Sequence, residues 1–134
     1  MIFYQFLMAL ALPVVLVHQA VFGLRGAVAE RLGLLPAPGP GVRLWLHAAS
    51  VGEVTSARWV IEALLAARPG LQVLVTTNTA TGQAQVQAWA LPGVTAALAP
   101  VDSAGAAGRV LDRWRPQALV IVENELWPAR LRAA

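Results

Sequence analysis

The sequence predicts an α/β domain built on a parallel sheet and preceded by an apolar helix that anchors it to a membrane. Two observations support this prediction. From residue 42 onwards, short continuous apolar runs alternate with longer segments of helical periodicity, as in parallel strands that helices cover on both faces. Residues 1–24 contain no Asp, Glu, Lys or Arg, and an apolar run of this length is typical of a membrane segment.

Residues 1–24 leave the mode of membrane association open. Pro13 and several polar side chains interrupt the apolar run, so a shallow anchor in the plane of the interface competes with a true span. A buried apolar helix of a larger protein is the further alternative. The first charges after the run are Arg25, Glu30 and Arg31, and by the positive-inside tendency the rest of the chain is cytoplasmic. We therefore expect membrane lipid as a partner, with the rest of the chain on the cytoplasmic side of the membrane.

The remaining residues divide into a connecting segment and one domain. Residues 25–41 combine a short helix, 25–35, with a Pro/Gly-rich linker, 36–41, and residues 42–134 hold the domain. We predict strands at 42–48, 71–77, 94–100 and 117–123, helices at 53–68, 82–90 and 104–115, and a further helix that begins at Pro128. Because crossovers between parallel strands are right-handed, all strand C-termini lie along one edge of the sheet. In open α/β sheets, ligands bind at that edge.

Composition and missing motifs exclude several classes of function. With no cysteine, the chain can form neither a disulfide framework nor a Cys-based zinc site, and its two histidines lie too far apart to indicate a metal site. The ten basic residues, all arginine, form no dense run, which argues against nucleic-acid binding. No GxGxxG follows a strand, no Gly-Lys-Ser/Thr marks a P-loop, and Ser50 lacks the first glycine of a GxSxG nucleophile elbow. We expect neither a cofactor nor a metal.

The segment from Ser50 to Glu53, with the sequence SVGE, allows two interpretations. Ser and Glu at this spacing match the capping box, in which each side chain satisfies the other residue's backbone N–H at the start of a helix. Alternatively, Glu53 takes a proton from a substrate. Gly52 favours a ligand, since glycine is a poor helix former and allows a close approach to the backbone. The N-terminus of the helix also attracts anions.

A hydroxyl-rich turn follows the second predicted strand. Residues 76–82, TTNTATG, hold four threonines and one asparagine before the next helix. Helix capping and turn chemistry need only one or two such residues. The excess leaves two interpretations open: capping, or the binding of a polar ligand such as a sugar or a phosphate by Thr79, Thr81 and Gly82.

Two glutamates follow the fourth predicted strand. Glu123 ends an apolar run, and Glu125 comes two residues later in the sequence ENELWP. Both are expected at the same edge of the sheet as Glu53. Trp127 and Pro128 are interpreted as packing residues at a helix start.

These motifs, in this order behind an apolar N-terminus, resemble those of the 3-deoxy-D-manno-octulosonic acid (Kdo) transferases of lipopolysaccharide synthesis. The segments that carry the resemblance are a strand ending in His47, SVGE at 50–53, a TxTxTG turn at 77–82, P-x-D at 100–102 and ExELWP at 123–128. The segment AERLG, residues 29–33, is similar to the family's short charged segment after the anchor. Together these segments cover almost the whole chain.

The resemblance implies a glycosyltransferase of the GT-B class, in which two Rossmann-like domains face a cleft. It implies transfer of Kdo from CMP-Kdo to a lipid A precursor, with inversion at the anomeric centre. By the same resemblance, Glu53 is the general base that deprotonates the acceptor hydroxyl, and Glu125 is the second functional glutamate. The residues expected to bind the acceptor are Ser50, Gly52, Thr79, Thr81, Gly82 and Glu123.

The length of the chain bears on this implied activity. A GT-B enzyme needs two domains of about 150 residues or more each, so we expect this chain to be the acceptor-binding half only. We expect that it does not transfer Kdo alone, because the domain that binds CMP-Kdo is missing. The competing hypothesis is a membrane-anchored α/β module that binds a sugar or a phosphate without catalysis. An esterase that uses Ser50 is disfavoured, because His47 ends the strand only three residues before it.

Overall fold

The computed structural model describes residues 2–21 and 25–122, and for residues 18–21 and 25–27 it gives the backbone alone. The elements in chain order are α1 (Ile2–Val21), α2 (Arg25–Arg31), β1 (Arg43–Ala48), α3 (Val51–Ala67), β2 (Gln72–Thr77), α4 (Ala80–Ala88), β3 (Val94–Leu98), α5 (Ala104–Trp114) and β4 (Ala118–Val122). The four predicted strands and the three helices between them are confirmed, to within about two residues at their ends. The helix predicted from Pro128 lies outside the described residues.

The four strands form one parallel sheet in the order β3-β2-β1-β4. Along β1 and β2 the pairing runs from Arg43 opposite Gln72 to His47 opposite Thr76. Because all strands point the same way, β1, β2 and β3 end at one edge, which we call the carboxyl edge, and α3, α4 and α5 begin there. The predicted α/β, Rossmann-like arrangement is therefore confirmed.

Helices cover both faces of the sheet, as the continuous apolar strands predict. On one face, α3 and α4 pack on β1 and β2 and bury Val54, Ile61 and Val86. On the other face, α5 packs through Trp114 against Trp45 of β1. Side chains alternate between the two faces along each strand, so residues two apart in β1 share a face.

The apolar N-terminal segment forms α1, which continues through Pro13. In the described part of the chain, no helix combines the length and hydropathy that crossing a bilayer requires. One face of α1 exposes large apolar side chains at helical spacing, namely Ile2, Phe3, Phe6, Leu7, Leu10, Val14 and Val17. Away from that face, Tyr4 donates a hydrogen bond to the carboxylate of Asp102 after β3. α1 therefore contacts the domain and keeps an apolar face outward.

The Pro/Gly-rich segment before β1 packs against α5. Leu35 is buried in the same cluster as Trp45 and Trp114. The indole Nε1–H of Trp114 donates to the carbonyl of Pro36 at 3.2 Å. Leu35, the last residue of the predicted helix 25–35, therefore belongs to the core of the domain, and the predicted linker 36–41 contacts α5 through the carbonyl of Pro36.

α2 ends at Arg31, before the predicted end at residue 35. The reason is Gly33, whose φ of 81° is left-handed and turns the chain out of the helix. A Cβ atom at this position would collide with the backbone carbonyl of Ala106 in α5. Glycine is therefore required both by the turn and by the close approach to α5.

Candidate functional site

Three helices begin at the carboxyl edge, and a hydroxyl side chain caps each of them. The capping residues are Ser50 for α3, Thr79 for α4 and Ser103 for α5. Each hydroxyl oxygen accepts the backbone N–H three residues further on, at 3.4, 3.1 and 3.2 Å respectively. The edge where a ligand is predicted is thus lined by polar loops, and each of these loops supplies the capping residue of the helix that follows it.

Glu53 lies in the first turn of α3 and completes the capping box that the sequence predicts. Its Oε2 accepts the backbone N–H of Ala49 at 2.6 Å and that of Ser50 at 3.1 Å. Both are charge-assisted hydrogen bonds when the carboxylate is ionised. Among the described residues, this carboxylate accepts its hydrogen bonds through Oε2, so Oε1 remains for a ligand. Glu53 is therefore a cap, and its role as a base stays a prediction.

Gly52 is exposed, and packing within the described residues does not require a glycine there. A Cβ atom at this position would meet only the Ser50 Oγ, at 4.0 Å. Gly82, at the start of α4, is different: it is buried, and a Cβ atom there would lie 2.5 Å from Oγ1 of Thr77. The backbone at Gly52 is thus open to a ligand, whereas Gly82 keeps the turn before α4 tight.

The hydroxyl-rich turn divides into buried and exposed side chains. Thr76 and Thr77 are buried, and the Thr77 hydroxyl donates to the carbonyl of Ala49 at 3.1 Å. Thr79 and Thr81 are exposed, and Thr79 caps α4. Packing and capping thus account for three of the four threonines, and Thr81 is the one left for the ligand interpretation.

Glu30, at the end of α2, reaches the carboxyl edge although sequence reasoning did not single it out as a site residue. Its Oε2 accepts the backbone N–H of Leu98 at 2.9 Å. Because β3 is an edge strand of the sheet, this bond satisfies a backbone donor that no neighbouring strand among the described residues pairs with. The Nε2 of Gln83 in α4 donates to the same carboxylate at 3.0 Å. The only sequence signal for this role is the similarity of residues 29–33 to the charged segment of the family.

Arg31 joins two of the loops at the carboxyl edge, and it too was missed from sequence. Its Nη1 donates to the carbonyl of Ala99 at 3.1 Å, and its Nη2 donates to the carbonyl of Asn78 at 2.5 Å. Burial lowers the pKa of the Arg31 guanidinium, and the neighbouring Glu30 carboxylate opposes part of that shift. Arginine nevertheless stays protonated in proteins, so a partly buried positive charge lies under the loops.

His47 is buried at the end of β1, on the face that α5 covers. Its Nδ1 lies 3.0 Å from the hydroxyl oxygen of Thr76, which also accepts the indole N–H of Trp45 at 2.9 Å. These three side chains form a polar cluster inside the fold, beneath the loops of the carboxyl edge.

The remaining predicted positions are buried or undescribed. Asp102 of the P-x-D motif is fully buried and accepts the hydroxyl of Tyr4. Glu123 and Glu125 lie outside the described residues, so their positions near Glu53 stay predictions. Within residues 2–21 and 25–122, no group of His, Cys, Asp and Glu side chains could hold a metal ion.

The fold and the site together define a class, a Rossmann-like α/β domain with polar loops along the carboxyl edge of a parallel sheet. A family model described as 3-deoxy-D-manno-octulosonic-acid transferase (kdotransferase) matches residues 26–134. The chain therefore belongs to the Kdo transferase family of glycosyltransferases, which confirms the resemblance carried by its motifs.

Individual relatives bear the name of that family. The chain is 38% identical over 71% of its length to a probable mitochondrial 3-deoxy-D-manno-octulosonic acid transferase of Arabidopsis thaliana. It is 38% identical over 73% to the 3-deoxy-D-manno-octulosonic acid transferase of Bordetella pertussis, and 34% identical over 88% to that of Chlamydia pneumoniae. The matches cover 21%, 24% and 28% of these relatives, so the chain spans about a quarter of their length.

Proposed function

We propose that this chain is the acceptor-side part of an inverting transferase that moves Kdo from CMP-Kdo to a lipid A precursor. Family membership supports Kdo as the transferred group. The observation that carries the site is the pairing of Glu53, bound through one carboxylate oxygen, with the open backbone of Gly52. In this proposal the chain supplies one of the two Rossmann-like domains of a GT-B enzyme, and CMP-Kdo binds mainly to the other.

Glu53 is the general base of the proposed reaction. The acceptor hydroxyl oxygen attacks the anomeric carbon of Kdo while its proton moves to Oε1 of Glu53. The bond from that carbon to the phosphate oxygen breaks, and its electron pair leaves with CMP. Attack opposite the leaving group inverts the anomeric centre. Oε2 keeps its hydrogen bonds to the N–H groups of Ala49 and Ser50, so capping and proton transfer use different oxygens of one carboxylate.

The acceptor is assigned to the exposed rim beside Glu53. The proposed contacts are Ser50, Gly52, Thr79 and Thr81, all of which are exposed. Hydroxyl groups suit a sugar acceptor because each can both donate and accept a hydrogen bond. Gly82 contributes by shaping the turn beneath this rim. Glu123 is proposed as a further acceptor contact and Glu125 as the second functional carboxylate.

The exposed apolar face of α1 supports a lipid-bound location. Phe3 is 74% exposed and Val14 70% exposed, and no charged side chain occurs from Ile2 to Val21. A continuous apolar surface of this kind is typical of an interaction site rather than of a water-exposed helix. We propose that this face binds lipid at the cytoplasmic side of the inner membrane. Because Tyr4 binds Asp102 in the loop after β3, this location brings the carboxyl edge near a lipid acceptor.

The decisive experiment is Glu53→Gln in a full-length protein that contains this sequence. Glutamine retains an oxygen for the capping box but cannot take the proton. We expect Kdo transfer from CMP-Kdo to fall about 100- to 10,000-fold while the melting temperature is kept. The matched control is Glu62→Gln, which removes an exposed carboxylate that pairs with Arg58 on the same helix. If Glu53→Gln transfers Kdo as fast as the control variant does, Glu53 is only a helix cap and the proposed base is refuted.

A further inference from the structure

We infer that Arg31 is a positioning residue for the Glu53 carboxylate and acts through the loops that follow β1 and β2. The inference rests on the proposed function, because it concerns how the proposed base is held. It adds a role for a side chain on α2, outside the sheet and outside the helix that carries Glu53.

A continuous path of hydrogen bonds links the two side chains. The Nη2 of Arg31 donates to the carbonyl of Asn78 at 2.5 Å, and the N–H of Asn78 donates to the carbonyl of Ala49 at 3.1 Å. The N–H of Ala49 then donates to Oε2 of Glu53 at 2.6 Å. All the intermediate groups belong to the backbone, so the position of the carboxylate depends on where Arg31 holds the loop.

Arg31 is itself held at a fixed place on the domain. Its own backbone carbonyl accepts the N–H of Val101 at 2.8 Å, and its Nη1 donates to the carbonyl of Ala99. The guanidinium thereby spans the loops after β2 and β3 with a rigid, planar set of donors. Partial burial strengthens these bonds, because the local dielectric is lower than that of water.

A purely structural role makes a different prediction from a positioning role. If Arg31 only fastened α2 to the domain, its replacement would lower stability and leave the kinetics of the folded protein unchanged. If Arg31 positions the carboxylate, the folded variant turns over more slowly, because misplacing a catalytic group by about 1 Å can cost about 100-fold in rate. The split between kcat and the melting temperature separates the two roles.

The test is Arg31→Lys in the full-length protein, with Arg109→Lys as the matched control. Lysine keeps the charge but lacks the planar fork that reaches two carbonyls. Arg109 makes the same kind of contact, from its guanidinium to the carbonyl of Leu32 at 2.8 Å, but that carbonyl is not one of the groups that link Arg31 to Glu53. We expect Arg31→Lys to lower kcat for Kdo transfer about 10- to 100-fold with KM for CMP-Kdo changed less than about twofold. Arg109→Lys should keep kcat.

A second measurement reports on the hydrogen bonds between Arg31 and Glu53 and does not depend on enzymatic turnover. Hydrogen exchange at the amides of Ala49 and Asn78 should be faster in Arg31→Lys than in the wild type, and unchanged in Arg109→Lys. If the buried ammonium of Arg31→Lys prevents folding, Arg31→Gln replaces it, since its amide keeps a neutral N–H donor and should show the same pattern.

The two proposals fail in different ways. Wild-type kcat and wild-type exchange in the Arg31 variant, with transfer lost in Glu53→Gln, would overturn the positioning role and leave the proposed function intact. An equal loss of kcat in Arg109→Lys would also overturn it. If the wild-type protein transfers no Kdo, the proposed function fails, and unchanged exchange at Ala49 and Asn78 would then overturn the positioning role on its own.

Discussion

The hydroxyl oxygen of Thr76 lies 3.0 Å from Nδ1 of His47 on the neighbouring strand. The same oxygen accepts the indole N–H of Trp45 at 2.9 Å, because an indole nitrogen can only donate. The hydrogen of the Thr76 hydroxyl is then available to Nδ1, a buried acceptor. We therefore predict that the Thr76 hydroxyl donates to Nδ1 of His47 and that this nitrogen carries no proton.

This hydrogen-bond direction can be tested in solution. Nitrogen NMR should report Nδ1 as the unprotonated nitrogen of the His47 ring. Thr76→Val removes both hydrogen bonds and should lower the free energy of unfolding by about 1–3 kcal/mol, because two buried groups lose their partner. Thr76→Ser, which keeps the hydroxyl, should stay close to the wild type and preserve the tautomer. A wild-type ring with its proton on Nδ1 would contradict the assignment.

Two glycines at the carboxyl edge should respond in opposite ways to alanine. Gly52→Ala meets only the Ser50 Oγ, at 4.0 Å, and improves helix propensity by up to about 1 kcal/mol, so the melting temperature should hold or rise. Gly82→Ala places a methyl group against Thr77 and should cost about 1–3 kcal/mol. If an acceptor approaches Gly52, the stable Gly52→Ala protein loses Kdo transfer. Full transfer by that variant would place the acceptor elsewhere.

A glycine with a positive φ and no neighbour allows the cost of the close contact between Gly33 and α5 to be measured apart from the cost of backbone strain. Gly33 and Gly70 have similar positive φ values, 81° and 87°, but only Gly33 lies against another element. Gly70→Ala should cost the left-handed strain alone, about 1–2 kcal/mol. Gly33→Ala should cost about 1–3 kcal/mol more, because its methyl group collides with the carbonyl of Ala106. Urea unfolding of both variants measures the difference, and equal costs would contradict the close packing.

The apolar face of α1 can be tested with a charge. Leu10 on α1 is 59% exposed and Leu34 after α2 is 57% exposed, which makes them a matched pair. Leu10→Asp should weaken binding to vesicles of phosphatidylethanolamine and phosphatidylglycerol about tenfold or more, since a buried leucine contributes about 1.5–3 kcal/mol. Leu34→Asp should bind as the wild type does. Equal binding of both variants in vesicle flotation would show that lipid does not cover this face.

The sheet and its crossover helices could be predicted because their signals are local. Each strand is a continuous apolar run, and each helix is bounded by a recognisable signal, such as the spacing of Ser50 and Glu53. The capping box could be predicted in atomic detail for the same reason, since both partners lie within one turn. The parallel direction then followed from alternation, and with it the edge at which the polar loops meet.

The features that could not be predicted depend on residues far apart in the chain. Glu30 binds the N–H of Leu98, and Arg31 binds the carbonyl of Asn78, so their roles exist only once β2 and β3 are in place. The pairing of Thr76 with His47 depends on strand register, which apolar runs without alternation leave open. The burial of Leu35 could not be predicted either, because residue 35 was expected at the end of a short helix, and its contacts with Trp45 and Trp114 join residues far apart in the chain.

Leu35 belongs to the cooperative folding unit, although it lies before the first strand. A protein shortened to begin at residue 25 keeps Leu35 in its cluster with Trp45 and Trp114. A protein shortened to begin at residue 42 lacks Leu35, and the cavity left in this cluster lowers the free energy of unfolding by about 2–5 kcal/mol. A domain of this size has only about 5–15 kcal/mol of stability, so such a loss removes a large part of it. Limited proteolysis should therefore leave a resistant fragment that starts upstream of the first strand, with α2 included.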